Sequence, residues 1–425
     1  MEPRIDTQEM VERFLAYARI ETTSSEESTS IPSTECQWDL ARLLEKELRD
    51  LGLQGVRLDD HAYVYGLLPE NLPKDHPRAG QVPPIGFIAH MDVSPAVPGK
   101  DVKPQVHKNY QGGPIVLPGD PKVVLTPETD PPLGECKGLD IITSDGTTLL
   151  GADDKAGIAV IMAALKFMKE NPSFLHGPIW VAFTPDEEVG RGVDKFDLDY
   201  FKAKAAYTVD GESLGEIEDE TFCADTWIAS FLGINVHPGY AKGKMVNSIK
   251  VAARFLEMLP KDSLSPETTE KREGYVHPMA VTGNEEKTVV KFLVRDFEEE
   301  GIGAKEKFLE EKARAAVKEF PGSSLEVEVK QSYRNMKQVI DKTPEVTEFA
   351  MEAVRAAGVE PRKNPIRGGT DGARLSFMGI PTPNIFTGGH NFHSKREWVA
   401  VQHMEKSAQV VLNLARIWAE KGRPL

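Results

Sequence analysis

Gly151-Ala-Asp-Asp-Lys-Ala-Gly157 leads into Ile158-Ala-Val-Ile-Met-Ala-Ala-Leu165, and Ile179-Trp-Val-Ala-Phe183 and Asp186-Glu-Glu188 follow. Ile158, Ile161, Leu165 and Met168 recur at helical spacing, which predicts a helix from Asp154 to about Glu170. The short apolar run after it predicts a buried strand. Acids stand at both junctions. One Asp before a helix is usually a cap, and a Glu pair after a strand is usually a solvated turn. Here both have company. His90-Met-Asp92 follows Ile85-Gly-Phe-Ile-Ala89, Asp210 follows Ala205-Ala-Tyr-Thr-Val209, and His393 lies near the end of the chain. Strands alternating with helices predict an α/β protein whose mixed, largely parallel sheet is flanked by helices. Ligands in such sheets sit off the carboxyl ends of the strands, where these acids and imidazoles fall.

Further out, residues 7–20 and 37–51 carry helical apolar spacing, and 94–138 is rich in Pro and Gly with little periodicity, as in a long surface excursion. The pattern changes over 219–332. Strands are predicted over Thr226–Val236, Thr288–Phe297 and Ser324–Ser332, with amphipathic helices over 247–259 and 304–320. This block predicts a smaller α+β domain with one covered sheet face. The expected organisation is therefore a catalytic domain in two parts, 1–218 and 333–425, with 219–332 inserted.

The chain of 425 residues exceeds the size of a single core. Its net charge of −15 excludes nucleic acid as the main partner, which needs clustered Lys and Arg, and favours a cationic ligand such as a metal ion or a free amino terminus. Cys36, Cys136 and Cys223 form no CxxC pair, the opening residues carry no basic-then-apolar leader, and no apolar run is long enough for a bilayer. A soluble, cytoplasmic protein is expected. No Walker lysine or HExxH is present, and a metal-activated water is the best nucleophile on offer.

Two metal ions about 3.5–4 Å apart need a shared carboxylate, further ligands on each and a separate base. Asp153 is the bridging candidate, with Asp154 expected to turn away. One of Glu187 and Glu188 can bind metal while the other faces the water. Asp92 can accept the second imidazole N–H of His90. His393 competes with His390.

With these residues assembled, the chain resembles the di-zinc exopeptidases related to carboxypeptidase G and the aminoacylases, in their tripeptide aminopeptidase branch. The resemblance spans nearly the whole length. Gly-Phe-Ile-Ala-His90-Met-Asp92, Gly-Ala-Asp153-Asp-Lys-Ala-Gly, Thr-Pro-Asp-Glu187-Glu188 and Tyr-Thr-Val-Asp210-Gly carry it. So do Asn-Val-His237-Pro-Gly, Val-Arg295-Asp-Phe, Ile-Arg367-Gly-Gly-Thr-Asp-Gly and Gly-Gly-His-Asn-Phe-His393. It implies two Zn2+ per subunit. His90 and Asp210 would bind one, Glu188 and His393 the other, and Asp153 would bridge them. Asp92 would be the supporting carboxylate and Glu187 the general base. His237 would stabilise the oxyanion, and Arg295, Arg367 and Asn247 would contact substrate. Ser394 departs from the glycine common in relatives. The implied activity is release of the N-terminal residue from tripeptides, with a homodimer as the implied assembly. A dipeptidase or N-acyl amino acid hydrolase of the same fold, or a non-catalytic peptide binder, are the alternatives.

Overall fold

A computed structural model describes residues 4–423; residues 1–3, part of the segment read above for a leader, and 424–425 lie outside it. The chain divides into two compact units. The first comprises residues 1–219, 336–364 and 370–425, and the second 220–335 and 365–369.

The first unit is built on an eight-stranded sheet in the order Gln54–Leu58, Val64–Leu68, Ile179–Thr184, Ile85–His90, Ala205–Gly211, Asn384–Phe386, Glu216–Glu218, Arg362–Lys363. The four central strands run parallel, and antiparallel pairs lie on either side of them. The central runs are apolar on both faces because both are covered. Ile85, Phe87, Ile179, Val181 and Phe183 face a core shared with the helices Ala152–Glu170 and Val401–Lys421. Ile88, Trp180 and Ala182 face an aromatic layer with Tyr63, Tyr65, Phe196 and Phe201. Gly86 is required there: a Cβ on it would stand 2.4 Å from Phe201 Cζ.

The hairpin Gln54–Leu58/Val64–Leu68 is not predicted from the sequence, since these runs are short and carry no clear alternation. The excursion after Ser94 is more ordered than its composition predicts. It contains the strands Gln105–His107, Ile115–Val116 and Val124–Leu125 and the helix Pro131–Glu135. Tyr110, Ile115, Leu117, Leu125 and Leu133 there pack on Ile141, Trp398 and Ala400 as a small core of their own. Elements of two to five residues are too short to show a period. Among the described residues no helix is long and apolar enough to cross a membrane.

The second unit is a four-stranded antiparallel sheet in the order Tyr275–Gly283, Lys287–Asp296, Cys223–Leu232, Ser324–Tyr333. The helices Ser248–Glu257 and Glu299–Glu319 cover one face, where Trp227, Phe231, Phe255, Phe292 and Leu309 are buried. Tyr275–Gly283 escapes the sequence reading because it is an edge strand. It carries Pro278, and from that residue onward every side chain is exposed, so it has no inward face to alternate.

Candidate metal centre

Three of the four central strands end in a functional side chain or open a turn that carries one, and the segment after the fourth supplies another. His90 closes Ile85–His90, Asp210 lies at the end of Ala205–Gly211, Glu187 and Glu188 form the turn after Ile179–Thr184, and His393 follows Asn384–Phe386. Asp153 reaches them from the first turn of Ala152–Glu170. That helix lies very close to the sheet: a Cβ on Gly157 would meet Val209 O at 2.0 Å. Only glycine permits this approach, and it brings the start of the helix alongside the strand that bears Asp210.

Asp153 is the hub. Its Oδ1 lies 2.8 Å from His90 Nε2 and its Oδ2 3.2 Å from His393 Nε2. His90 Nε2 is 3.5 Å from Asp210 Oδ1, and His393 Nε2 is 2.7 Å from Glu188 Oε2. Each Asp153 oxygen therefore serves a different imidazole and a different second acid. The pairing is that expected of a shared carboxylate between two cation positions.

Asp92 is fully buried. His90 Nδ1 lies 3.0 Å from the Asp92 backbone carbonyl and 3.4 Å from its carboxylate. The carboxylate also accepts the backbone N–H groups of Glu187 at 2.9 Å and Glu188 at 3.2 Å. It thereby fixes the turn from which both glutamates project. Asp154 turns its carboxylate to backbone N–H groups. It is fully buried, and its oxygens accept from His90 N at 3.2 Å and Gly157 N at 3.2 Å. One of its oxygens groups with ligand atoms of His90 and Asp210, all within 4.8 Å of one another; a second such group is His90, Asp153 and Glu188. His390 stays out of the cluster. It is buried and stacked on Trp398 at 4.5 Å, and burial pulls it down to about 4.

Acids outnumber imidazoles here, and the titration behaviour follows. Burial works to raise Asp153, but His393 and His90 overcome it and hold the carboxyl well below the usual range. Burial, then the Asp153 charge, push Glu188 up to about 8. Burial likewise lifts Asp210 to about 6 against the pull of His90. Glu187 is raised well above its usual value, chiefly by burial. Hydrogen bonds to Asp153 and Glu188 lift His393 to about 11. Burial opposes charge on His90, yet Asp210 and Asp153 drive it well above 6.5. Divalent cations fit this excess of negative charge without protons. Glu188 Oε1 gives a second indication: it is buried and has no hydrogen-bond partner.

Two buried acids beside the cluster were not singled out in the sequence. Asp371, in the quoted Gly-Gly-Thr-Asp-Gly motif, accepts from Thr184 Oγ1 at 2.8 Å, and burial lifts it to about 7. Glu397 sits in Lys395-Arg396-Glu397, which reads as a solvated charge run, yet it is 1% exposed. Ser394 donates to Asn391 O at 2.7 Å and accepts from Arg396 N, so its hydroxyl is used within the His393 loop.

The remaining candidates belong to the second unit. His237 precedes the short helical turn Pro238–Tyr240, accepts from Gly239 N through Nδ1 and lies tilted against the Tyr240 ring, 5.3 Å between centroids. Asn247 caps Ser248–Glu257, accepting from Ile249 N at 2.9 Å. Arg295 donates to the carbonyls of Asp225 and Val294 and lies over Tyr333. Its neighbour Asp296 pairs with Lys305. Arg367 donates to the carbonyls of Lys271 at 2.8 Å and Glu273 at 2.7 Å and to Thr269 Oγ1 at 3.0 Å, with Phe222 and Tyr275 beneath it.

An α/β unit with acids and imidazoles gathered at its strand ends defines a class of metal-site hydrolases. Residues 146–417 match the model of Peptidase family M20/M25/M40, and the chain belongs to that family. It is a peptide hydrolase. Peptidase T of Caldanaerobacter subterraneus subsp. tengcongensis is 48% identical over 413 residues, covering 97% of this chain and 99% of that protein. The crystal structure of aminopeptidase PepT from Bacillus cereus matches with a TM-score of 0.74 at 25% identity, over 98% of this chain and 100% of its own. A tripeptidase from Staphylococcus aureus shares the fold with a TM-score of 0.76 at 23% identity, over the same shares of the two chains.

Proposed function

We propose that this peptidase is a zinc-dependent tripeptide aminopeptidase. One observation carries the metal reading: the two oxygens of Asp153 divide between His90 with Asp210 and His393 with Glu188. Near full-length similarity to proteins named Peptidase T supports the substrate class.

His90, Asp153, Asp210, Glu188 and His393 would hold two cations. Such a pair, when bound, lowers the pKa of a water molecule and polarises the scissile carbonyl. Glu187 takes the proton from the attacking water at its carboxylate and delivers a proton to the departing amine. Burial raises the Glu187 carboxyl above its usual value, and a more basic carboxylate takes the proton of the water more readily. Asp92 orients Glu187 through the backbone N–H it accepts. His237 remains the proposed oxyanion stabiliser and Asn247, Arg295 and Arg367 the proposed substrate contacts, and a homodimer in the cytoplasm belongs to the same reading.

The test is a panel of tripeptides with free and acetylated amino termini, assayed with stoichiometric metal analysis. Cleavage of free tripeptides alone, lost on chelation and restored by zinc, is expected. Preference for acetylated substrates or dipeptides would transfer the chain to an N-acyl amino acid hydrolase or dipeptidase.

A further inference from the structure

The turn that carries Asp153 is not held by its own helix. Asp153 has φ −86°, ψ 103° and Asp154 φ −122°, ψ 32°, both outside helical geometry, and the residue before the helix is Gly151, which has no side chain to cap it. The first amides of a helix need acceptors. Around this start the amides of Leu150, Gly151 and Asp153 find theirs on a residue far along the chain, while Gly157 N is met by Asp154. Glu397 Oε2 accepts from Leu150 N at 2.7 Å and Gly151 N at 2.8 Å, and its Oε1 accepts from Asp153 N at 3.0 Å. A carboxylate accepting three backbone N–H groups at a helix start is strongly favoured by charge and geometry.

Glu397 lies four residues beyond His393, and their shared segment is itself anchored. Asp130 accepts from Asn391 Nδ2 at 2.6 Å and from Trp398 Nε1 at 2.5 Å. The strand Trp398–Ala400 pairs with both Gly389–His390 and Ile141–Thr143. One short segment thus presents a partner to each side of the hub: the His393 ring touches the Asp153 carboxylate, and the Glu397 carboxylate grips the Asp153 backbone.

We propose that Glu397 is a positioning residue of the metal centre, setting the Asp153 carboxylate in register with His393 through three backbone hydrogen bonds. The inference rests on the two-cation reading of the cluster. Glu397→Gln is the discriminating variant, since its amide nitrogen cannot accept from an N–H, so at least one of the three bonds is lost at nearly constant volume. Co2+ titrated into the chelated full-length protein, followed by its visible absorption, reports occupancy without reference to turnover.

Wild type should take up two Co2+ per chain, and the variant should bind them about 10- to 100-fold more weakly, in a chelated form that still unfolds cooperatively at a melting temperature lowered by the lost hydrogen bond. Glu397→Asp, which keeps the charge but retracts it from the amides, should weaken Co2+ binding in the same direction and guards against a glutamine variant that does not fold. Wild-type affinity in both variants would overturn the proposal. So would failure of both to fold when chelated, which would make Glu397 a residue of the fold alone. Absence of Co2+ binding in wild type would instead overturn the two-cation reading itself.

Discussion

The two imidazoles of the cluster are held in contrasting ways. His90 is the last residue of a central strand and 3% exposed. Its backbone N–H goes to Asp154 and its ring Nδ1 to the Asp92 carbonyl. His393 has a side chain 48% exposed, in a loop where its own φ is +58° and that of Asn391 is +56°. Sheet register places the first. Hydrogen bonds between distant segments, with Asp130 and Glu397 as acceptors, place the second. The buried end of the centre therefore forms with the fold, whereas the open end depends on a few tertiary contacts. Such a division separates stability from adjustability around one shared carboxylate.

The largest expected effect concerns a residue outside both imidazole groups. Glu187→Ala should lower turnover by about 10²- to 10⁴-fold while both ions stay bound, measured as kcat beside metal stoichiometry. Retained activity would remove Glu187 as the base, and loss of metal would make it part of one end.

The comparison itself is sharpened by His90→Ala against His393→Ala in the chelated protein. Removing the buried imidazole leaves Asp153 and Asp210 without their partner and should cost about 3 kcal/mol of unfolding free energy. Removing the half-exposed one also deprives Glu188 and Asp153 of a partner, but water reaches that side, so it should cost less, about 1–2 kcal/mol. Equal losses in denaturant melts would erase the distinction.

A smaller effect is a pH slope. Glu188, Asp210 and His393 have folded pKa values raised to about 8, about 6 and about 11. A raised group stabilises fully below its unfolded pKa and loses that contribution as pH climbs through the folded value. Asp153 is lowered, and its opposing contribution is already complete above its unfolded pKa near 3.8. The chelated protein should thus lose stability from pH 5 to pH 9, and metal should flatten the slope by releasing those protons. Melting temperatures across that range, with and without zinc, decide the point; a rising curve without metal would contradict it.

Much of the buried end was legible in the sequence. Ile85–Ala89, Ile179–Phe183 and Ala205–Val209 are apolar runs with abrupt polar ends, because both sheet faces are covered and the strand tips are not. The Asp153 helix was equally plain. The open end was far less so. Residues 94–138 organise themselves in pieces too short for periodicity, and Asp130 within them gives no local sign that it anchors the His393 loop. Glu397 sits in a charged run that resembles a solvated face. Tyr275–Gly283 lacked an inward face to betray it. For Asp130 and Glu397 the missing information lay in a partner hundreds of residues away.

The most direct test is an anomalous difference map from crystals of the zinc-loaded protein. Two peaks should appear on either side of the Asp153 carboxylate, one beside His90 and Asp210 and the other beside Glu188 and His393. A single peak, or two that do not share Asp153, would contradict the account.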